Sequence, residues 1–291
     1  MIRKFQEVIF LKKSVTISVF PRDWDLKKVF ETAKKVGLDG VELNFGPGCV
    51  LTPDTTDSEY EEIKRLASEA GIQLKSIASG FSWTCSPTAD EKETRDTAHE
   101  LIRQQIISAH KLGAESILVV PGFCGVDFVP DSPVVDYMDA YNRALDWMND
   151  LKGLAEELNV DIAIENVWNK FLLSPLDFKN IIDQVNSPKV GCYFDVGNVL
   201  VNSYPEQWIR ILGSRIKKVH FKDFDRSIGT IEGFVDLLKG NVDYRAVMKA
   251  FKEVGYDGWA TAEFGLPEGA DPVEYAQSIS DAMTEIFSYV E

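Results

Sequence analysis

At 291 residues and 45% hydrophobic composition, the chain carries enough apolar side chain for one large core or two small ones, which excludes a disordered polymer. Its 31 basic residues against 46 acidic ones give a formal charge of −15, which repels phosphate backbones and anionic lipid heads, so neither nucleic acid nor a membrane is an expected partner. No run approaches the about 18–20 uncharged apolar residues that cross a bilayer. The four cysteines (Cys49, Cys85, Cys124, Cys192) form no C-x-x-C pair, so the expectation is a reduced, cytoplasmic protein without a thiolate zinc site or disulfide framework.

Residues 1–12 read as an N-terminal extension, because charge breaks their short apolar run. VTISVF then reads as a first strand, at about 15–20. Leu26, Val29, Phe30, Ala33 and Val36 recur at helical spacing, Gly37 stops that helix, and GVEL follows as a strand. The unit repeats. Tyr60, Ile63, Leu66, Ala67 and Ala70 line a helix that Gly71 ends before IQLKSIAS; a third helix ends at Leu112-Gly113 before SILVV; a fourth, over 136–159, delivers the chain to DIAIEN. VGCYFD, IKKVHF and GWATAE complete a set of eight strands, predicted at 15–20, 40–44, 73–78, 116–120, 161–165, 190–194, 216–221 and 259–263. Short apolar strands alternating with helices specify a parallel sheet, since a parallel crossover needs a helix-length connection. Eight units in a chain of this length, with no G-x-G-x-x-G after an early strand and no linker, predict one (β/α)8 TIM barrel rather than an open doubly wound sheet.

In a parallel barrel the C-terminal strand ends converge on the mouth, where such enzymes place their chemistry. Four successive predicted strands end in a group able to hold a metal: Glu165, Asp195, His220 and Glu263. One carboxylate at a strand end is ordinarily a helix cap or a surface ion pair, and Glu42 taken alone is read that way. Four ionisable groups in one mouth are different, because burying them is costly unless a cation pairs them. Three carboxylates and one imidazole suit one hard divalent ion, Mn2+ first, with Mg2+ and Co2+ also accommodated and Zn2+ tolerated. Phe81, Trp83, Phe123 and Trp168 follow strand ends and are candidate walls for the apolar face of a small substrate. Asn166 and Asn169 are candidates to orient hydroxyls or Glu165, and Lys170, Lys222 and Arg226 are candidate cations for a phosphate, without a glycine-rich cradle. His99 and His110 fall on the third helix and receive no role.

The segments IAIENVWNKFLLSP (162–175), YFDVGN (193–198), VHFKD (219–223) and ATAEF (260–264) resemble the xylose-isomerase-like superfamily of sugar isomerases and epimerases, in particular its ketose and ketose-phosphate 3-epimerases. The resemblance covers nearly the whole barrel. It implies that Glu165, Asp195, His220 and Glu263 are the metal ligands, that Glu165 and Glu263 also move protons, and that Arg226 supports the last strand's glutamate. A homodimer or homotetramer is likewise implied. LLKGNVDY (237–244) departs from the family's Gly-Glu-Gly approach to the seventh helix.

The expected activity is epimerisation at carbon 3 of a ketose or ketose phosphate through an enediolate. The same four residues serve an aldose-ketose isomerase, and the same barrel serves keto-inositol dehydratases and lyases that cleave keto-glycosides. A multi-metal abasic-site endonuclease of this architecture is disfavoured by three histidines and the −15 charge. A catalytically silent barrel is disfavoured by the complete quartet.

Overall fold

The computed structural model describes residues 11–290. Its eight barrel strands are β1 (Lys12–Thr16), β2 (Gly40–Phe45), β3 (Ser76–Ser79), β4 (Ser116–Val119), β5 (Asp161–Glu165), β6 (Val190–Asp195), β7 (Ile216–Phe221) and β10 (Trp259–Ala262). They pair in the cyclic order β1-β10-β7-β6-β5-β4-β3-β2, all parallel, so the barrel closes on itself. Between them run α1 (Leu26–Lys35), α2 (Asp57–Ala70), α3 (Lys92–Leu112), α4 (Tyr137–Glu157), α5 (Pro175–Val185), α6 (Pro205–Leu212) and α7 (Tyr244–Val254), and α8 (Pro272–Ser288) closes the ring. The predicted (β/α)8 architecture is the one observed.

The helices start and stop for local reasons. Thr56 and Ser174 form capping boxes with Glu59 and Asp177, satisfying backbone N–H groups that the first turns of α2 and α5 leave open. The left-handed backbone at Gly71 (φ 71°) ends α2 at the predicted residue.

Period-2 alternation sorts the strand residues onto two faces. Val41, Ile77, Ile117, Ile162, Ile164, Cys192, Phe194, Val219 and Phe221 are buried in the main apolar cluster with the helix side chains. The alternate residues include Glu42, Ser76, Glu165, Tyr193, Asp195, Lys218, His220 and Thr261, which makes much of the buried polar set a product of the barrel strands. Gly40 is required by contact rather than by φ. A Cβ on Gly40 would stand 2.7 Å from Trp259 Cζ3 and 2.8 Å from the Gln73 carbonyl oxygen. Gly40→Ala is therefore expected to destabilise the barrel by about 1–3 kcal/mol, read as a lower denaturation midpoint with unchanged m-value.

Several boundaries differ from the sequence reading. The first strand is Lys12–Thr16, and Ile17–Val19 form a 3-10 turn instead of extending the strand to 20. The Ser18 hydroxyl donates to Phe264 O at 2.7 Å, which draws the chain into that turn. Lys12 is consequently barrel and not extension; residues 1–10 of the expected extension lie outside the described residues. The third strand begins at Ser76 rather than 73, although Gln73 still bridges Gly40. The connection from β7 to α7 carries an unforeseen antiparallel ribbon, β8 (Asp223–Phe224) with β9 (Phe234–Val235). Among the described residues no helix is long and apolar enough to cross a membrane.

Candidate active site

Glu165 and Asp195 are the last residues of β5 and β6, His220 is the next-to-last of β7, and Glu263 directly follows β10. The registers Asp195↔His220 and Thr261↔His220 bring these strand ends to one level. One ligand atom from each of the four residues lies within 4.8 Å of the others. His220 Nδ1 is 2.7 Å from Glu263 Oε2, 3.5 Å from Glu165 Oε1 and 3.9 Å from Asp195 Oδ2. Asp195 and His220 are wholly buried, Glu165 nearly so, and Glu263 reaches the mouth.

The four inward atoms, Glu165 Oε1, Asp195 Oδ2, His220 Nδ1 and Glu263 Oε2, are buried, and none makes a well-aligned hydrogen bond among the described residues. Buried polar atoms without hydrogen bonds are costly, and four converging within 4.8 Å of one another match the donor set of a divalent cation. The residues present therefore fit a metal. The electrostatics agree. Burial pushes Glu165 up to about 7, against the pull of the neighbouring His220, which lowers it. Burial likewise raises Asp195, with Lys222 opposing. Burial works against a charged His220, yet Glu263 and Glu42 hold it well above the usual imidazole range. Burial also acts against ionised Glu263, but Lys222 and His220 outweigh it and hold that carboxyl well below the usual range. Lys222 and His220 between them keep Glu263 ionised, while burial leaves Glu165 and Asp195 raised, so the cluster holds more carboxylate than its own cations neutralise.

Lys222 adds a second positive charge beside His220. Its Nζ lies 2.8 Å from Glu263 Oε2 and 3.3 Å from Asp195 Oδ2, with the Phe234 ring 5.2 Å away. This corrects the expectation for Arg226. The ribbon turns Arg226 outward, where it is exposed, stacks over Tyr204 and reaches Ser203 O at 3.5 Å; the contact expected from it to Glu263 is made by Lys222.

Asn166 and Asn169 are corrected as well. The Asn166 amide donates to Asp195 O at 2.8 Å and accepts from Asp195 N at 2.9 Å, while Asn169 donates to Gly122 O at 2.7 Å and accepts from Phe171 N at 3.1 Å. Both amides are thus spent on backbone, and their work is to fix loops. Asn198, not singled out from the sequence, joins this brace: its N–H donates to Asp195 Oδ1 at 2.7 Å and its side chain donates to Asn166 O at 2.9 Å. Asp195 Oδ1 is thereby engaged and Oδ2 is left to face the cluster.

A cavity of about 250 Å³ opens over Glu165, His220 and Glu263. Trp83 and Trp168 line it, with Phe128, Ile231 and Phe234, and Ser79, Asn198 and Lys222 add polar groups. Trp168 is held by its indole N–H on Asn198 O at 2.8 Å, and Trp83 meets Phe128 edge to face at 5.1 Å. Phe81 and Phe123 are buried in the core and line none of it. Lys170 is on the rim of a neighbouring hollow of about 670 Å³ and pairs with Asp127 at 2.5 Å. Glu42, read as a bland strand-end carboxylate, is instead buried within 2.9 Å of His220 Nε2.

A closed parallel barrel that gathers three carboxylates and an imidazole beneath an aromatic-walled mouth defines the class: barrels with a cation-ready pocket at the C-terminal face. The model of the xylose isomerase-like TIM barrel family matches residues 30–285, and the chain belongs to that family. It is 24% identical over 184 residues to the uncharacterized protein MJ1311 of Methanocaldococcus jannaschii, covering 61% of this chain and 60% of that one. The chain thus spans about three fifths of the length of that relative. It is 26% identical over 287 residues to an inosose dehydratase of Lacticaseibacillus casei strain BL23, covering 91% and 94% of the two chains. The fold matches that of D-psicose 3-epimerase from Clostridium cellulolyticum H10, solved with D-tagatose, at a TM-score of 0.81 and 18% identity over 97% of this chain and all (100%) of the other.

Proposed function

We propose that this chain is a divalent-metal-dependent sugar epimerase acting at carbon 3 of a ketose or ketose phosphate. The observation that carries the reading is the convergence at the barrel mouth of four buried atoms, from Glu165, Asp195, His220 and Glu263, none of them in a well-aligned hydrogen bond among the described residues and with the single Lys222 ammonium beside three carboxylates. These four residues hold the ion, with Mn2+ the first expectation for a mostly oxygen donor set containing one imidazole. When bound, the ion polarises the substrate's carbonyl and acidifies the neighbouring C–H bond.

The carboxylates of Glu165 and Glu263 are the proton carriers. One takes the proton from carbon 3, whose bonding pair forms the carbon 2–carbon 3 double bond of an enediolate. The other returns a proton to the opposite face, the double bond collapses to the ketone, and the centre is inverted. Lys222, held against Glu263, keeps that carboxylate ionised and placed. Trp83 and Trp168 pack on the sugar's apolar face, which orients carbon 3 and excludes water. A cytoplasmic homodimer or homotetramer belongs to the same reading, and light scattering of the purified protein checks the assembly.

The second reading is dehydration of a keto-inositol, favoured by the 26% identity to an inosose dehydratase along 91% of the chain. It begins with the same proton abstraction and ends with loss of hydroxide. Proton NMR in D2O separates the two. Metal-stripped protein reloaded with Mg2+ is incubated with ketoses, ketose phosphates and keto-inositols. Deuterium at carbon 3 together with an epimer supports 3-epimerisation; exchange at carbon 1 or 2 moves the assignment to aldose-ketose isomerisation; a product lighter by one water from the keto-inositol selects the dehydratase.

A further inference from the structure

Glu42 is 1% exposed, yet it is among the most heavily engaged carboxylates in the molecule. Its Oε1 faces His220 Nε2 at 2.9 Å, and its Oε2 takes the Tyr193 phenol at 2.6 Å together with the Ser76 hydroxyl. Three groups from β3, β6 and β7 thus converge on one side chain of β2. An ionised carboxylate is acceptor-only, so each of these partners is a donor. The Nε2 atom of His220 therefore carries hydrogen, and in the neutral ring Nδ1 presents a lone pair. That lone pair points at the oxygens of Glu263, Glu165 and Asp195, 2.7, 3.5 and 3.9 Å away. With no ion bound, a second proton that Glu263 and Glu42 hold on the ring separates these atoms; a divalent cation takes that proton's place and makes all four of them ligands. The ring's tilt is fixed from the side too, by Tyr193, whose centroid is 4.4 Å from that of His220.

We propose that Glu42 is a positioning residue for the metal: it fixes His220 in the Nε2–H tautomer, aims Nδ1 into the quartet and raises the basicity of that nitrogen. A carboxylate behind a metal-ligating imidazole sets both its orientation and its donor strength. The proposal rests on the metal reading above but not on the identity of the sugar. It gives a role to a residue outside the four strand ends, reached across the closed barrel.

Glu42→Gln tests it while preserving shape. The amide oxygen still accepts from His220 Nε2, and the Tyr193 and Ser76 hydroxyls rotate to accept from the amide nitrogen; only the charge is lost. Metal-stripped wild type and variant are titrated with Mn2+ by calorimetry, then loaded with Co2+ for visible spectra. The expected result is a 10–100-fold weaker Mn2+ affinity and shifted Co2+ bands in the variant, with the melting temperature of the metal-free protein essentially unchanged. Independently of any variant, long-range proton-nitrogen NMR of the Zn2+-loaded wild type reads the tautomer. With three histidines in the chain, His220 is assigned by difference, and its Nε2 is expected to carry the hydrogen. A variant that binds Mn2+ as tightly as wild type, or a His220 hydrogen found on Nδ1 with metal bound, overturns the proposal. A wild type that binds no divalent ion at all sinks the quartet reading and this proposal with it, so the two failures are told apart.

Discussion

Glu263→Gln is expected to leave the barrel folded and to slow deuterium exchange at carbon 3 by about 10²–10⁴-fold, the usual contribution of a positioned acid-base group. Glu263 is the quartet member best placed to reach substrate. It lies just beyond β10, its side chain is 33% exposed against 7% for Glu165, and it lines the cavity over the site. The amide is nearly isosteric, so packing is retained, and Lys222 keeps Asp195 as a partner at 3.3 Å. A glutamine oxygen remains a neutral donor, so Mn2+ binding weakens without vanishing. Exchange and binding thus separate: the exchange rate at saturating Mn2+ collapses while calorimetry still detects the ion. Wild-type exchange by this variant removes Glu263 from the chemistry and returns attention to Glu165.

The quartet was legible in the sequence because it depends on a periodic rule. Strands that alternate apolar and polar residues place every second side chain inside the barrel, and parallel strands put their last residues at one mouth, so DIAIE, VGCYFD, IKKVHF and WATAE each announce an inward group at or beside their ends. The residues that failed to read correctly depend on contacts with no such rule. Glu42 and His220 are 178 positions apart and sit on strands that are not neighbours, so only closure of the barrel brings them together. Arg226 sits at a suggestive offset from His220, but the β8–β9 ribbon turns it outward, and nothing in the spacing shows that ribbon. Asn166 and Asn169 have the chemistry to hold hydroxyls, yet irregular loops leave backbone groups unpaired and these amides satisfy them. Lys222 was noticed as a cation and placed with phosphate; its pairing with Glu263 needs the height of β7 relative to β10, which register alone determines.

Stability should respond to the ion in a way that isolates the quartet. Mn2+ at about 100 times its dissociation constant stabilises a single-site protein by about 2.7 kcal/mol, and at about 2–4 °C per kcal/mol the melting temperature rises by about 5–10 °C. Asp195→Asn is expected to abolish that rise and, at the same time, to melt higher than wild type when both are metal-free. Asp195 has no exposed surface, its Oδ2 makes no well-aligned hydrogen bond among the described residues, and it shares the pocket with Glu165 and Glu263. Without a divalent ion it is therefore a desolvated charge beside two other carboxylates, which Lys222 at 3.3 Å offsets only in part: burial is the first cause of its raised pKa and outweighs that ammonium. Asparagine removes that charge while its amide oxygen still accepts from the Asn198 N–H now bound to Oδ1 at 2.7 Å. The site is then easier to fold and unable to hold its ion, the exchange of stability for function expected of a charge-dense centre. Scanning calorimetry of wild type and variant, each with and without Mn2+, reads both signs. A metal-free variant that melts lower and still gains on Mn2+ would place Asp195 in the scaffold, as a clamp on the loop after β6, and leave the ion to the other three residues.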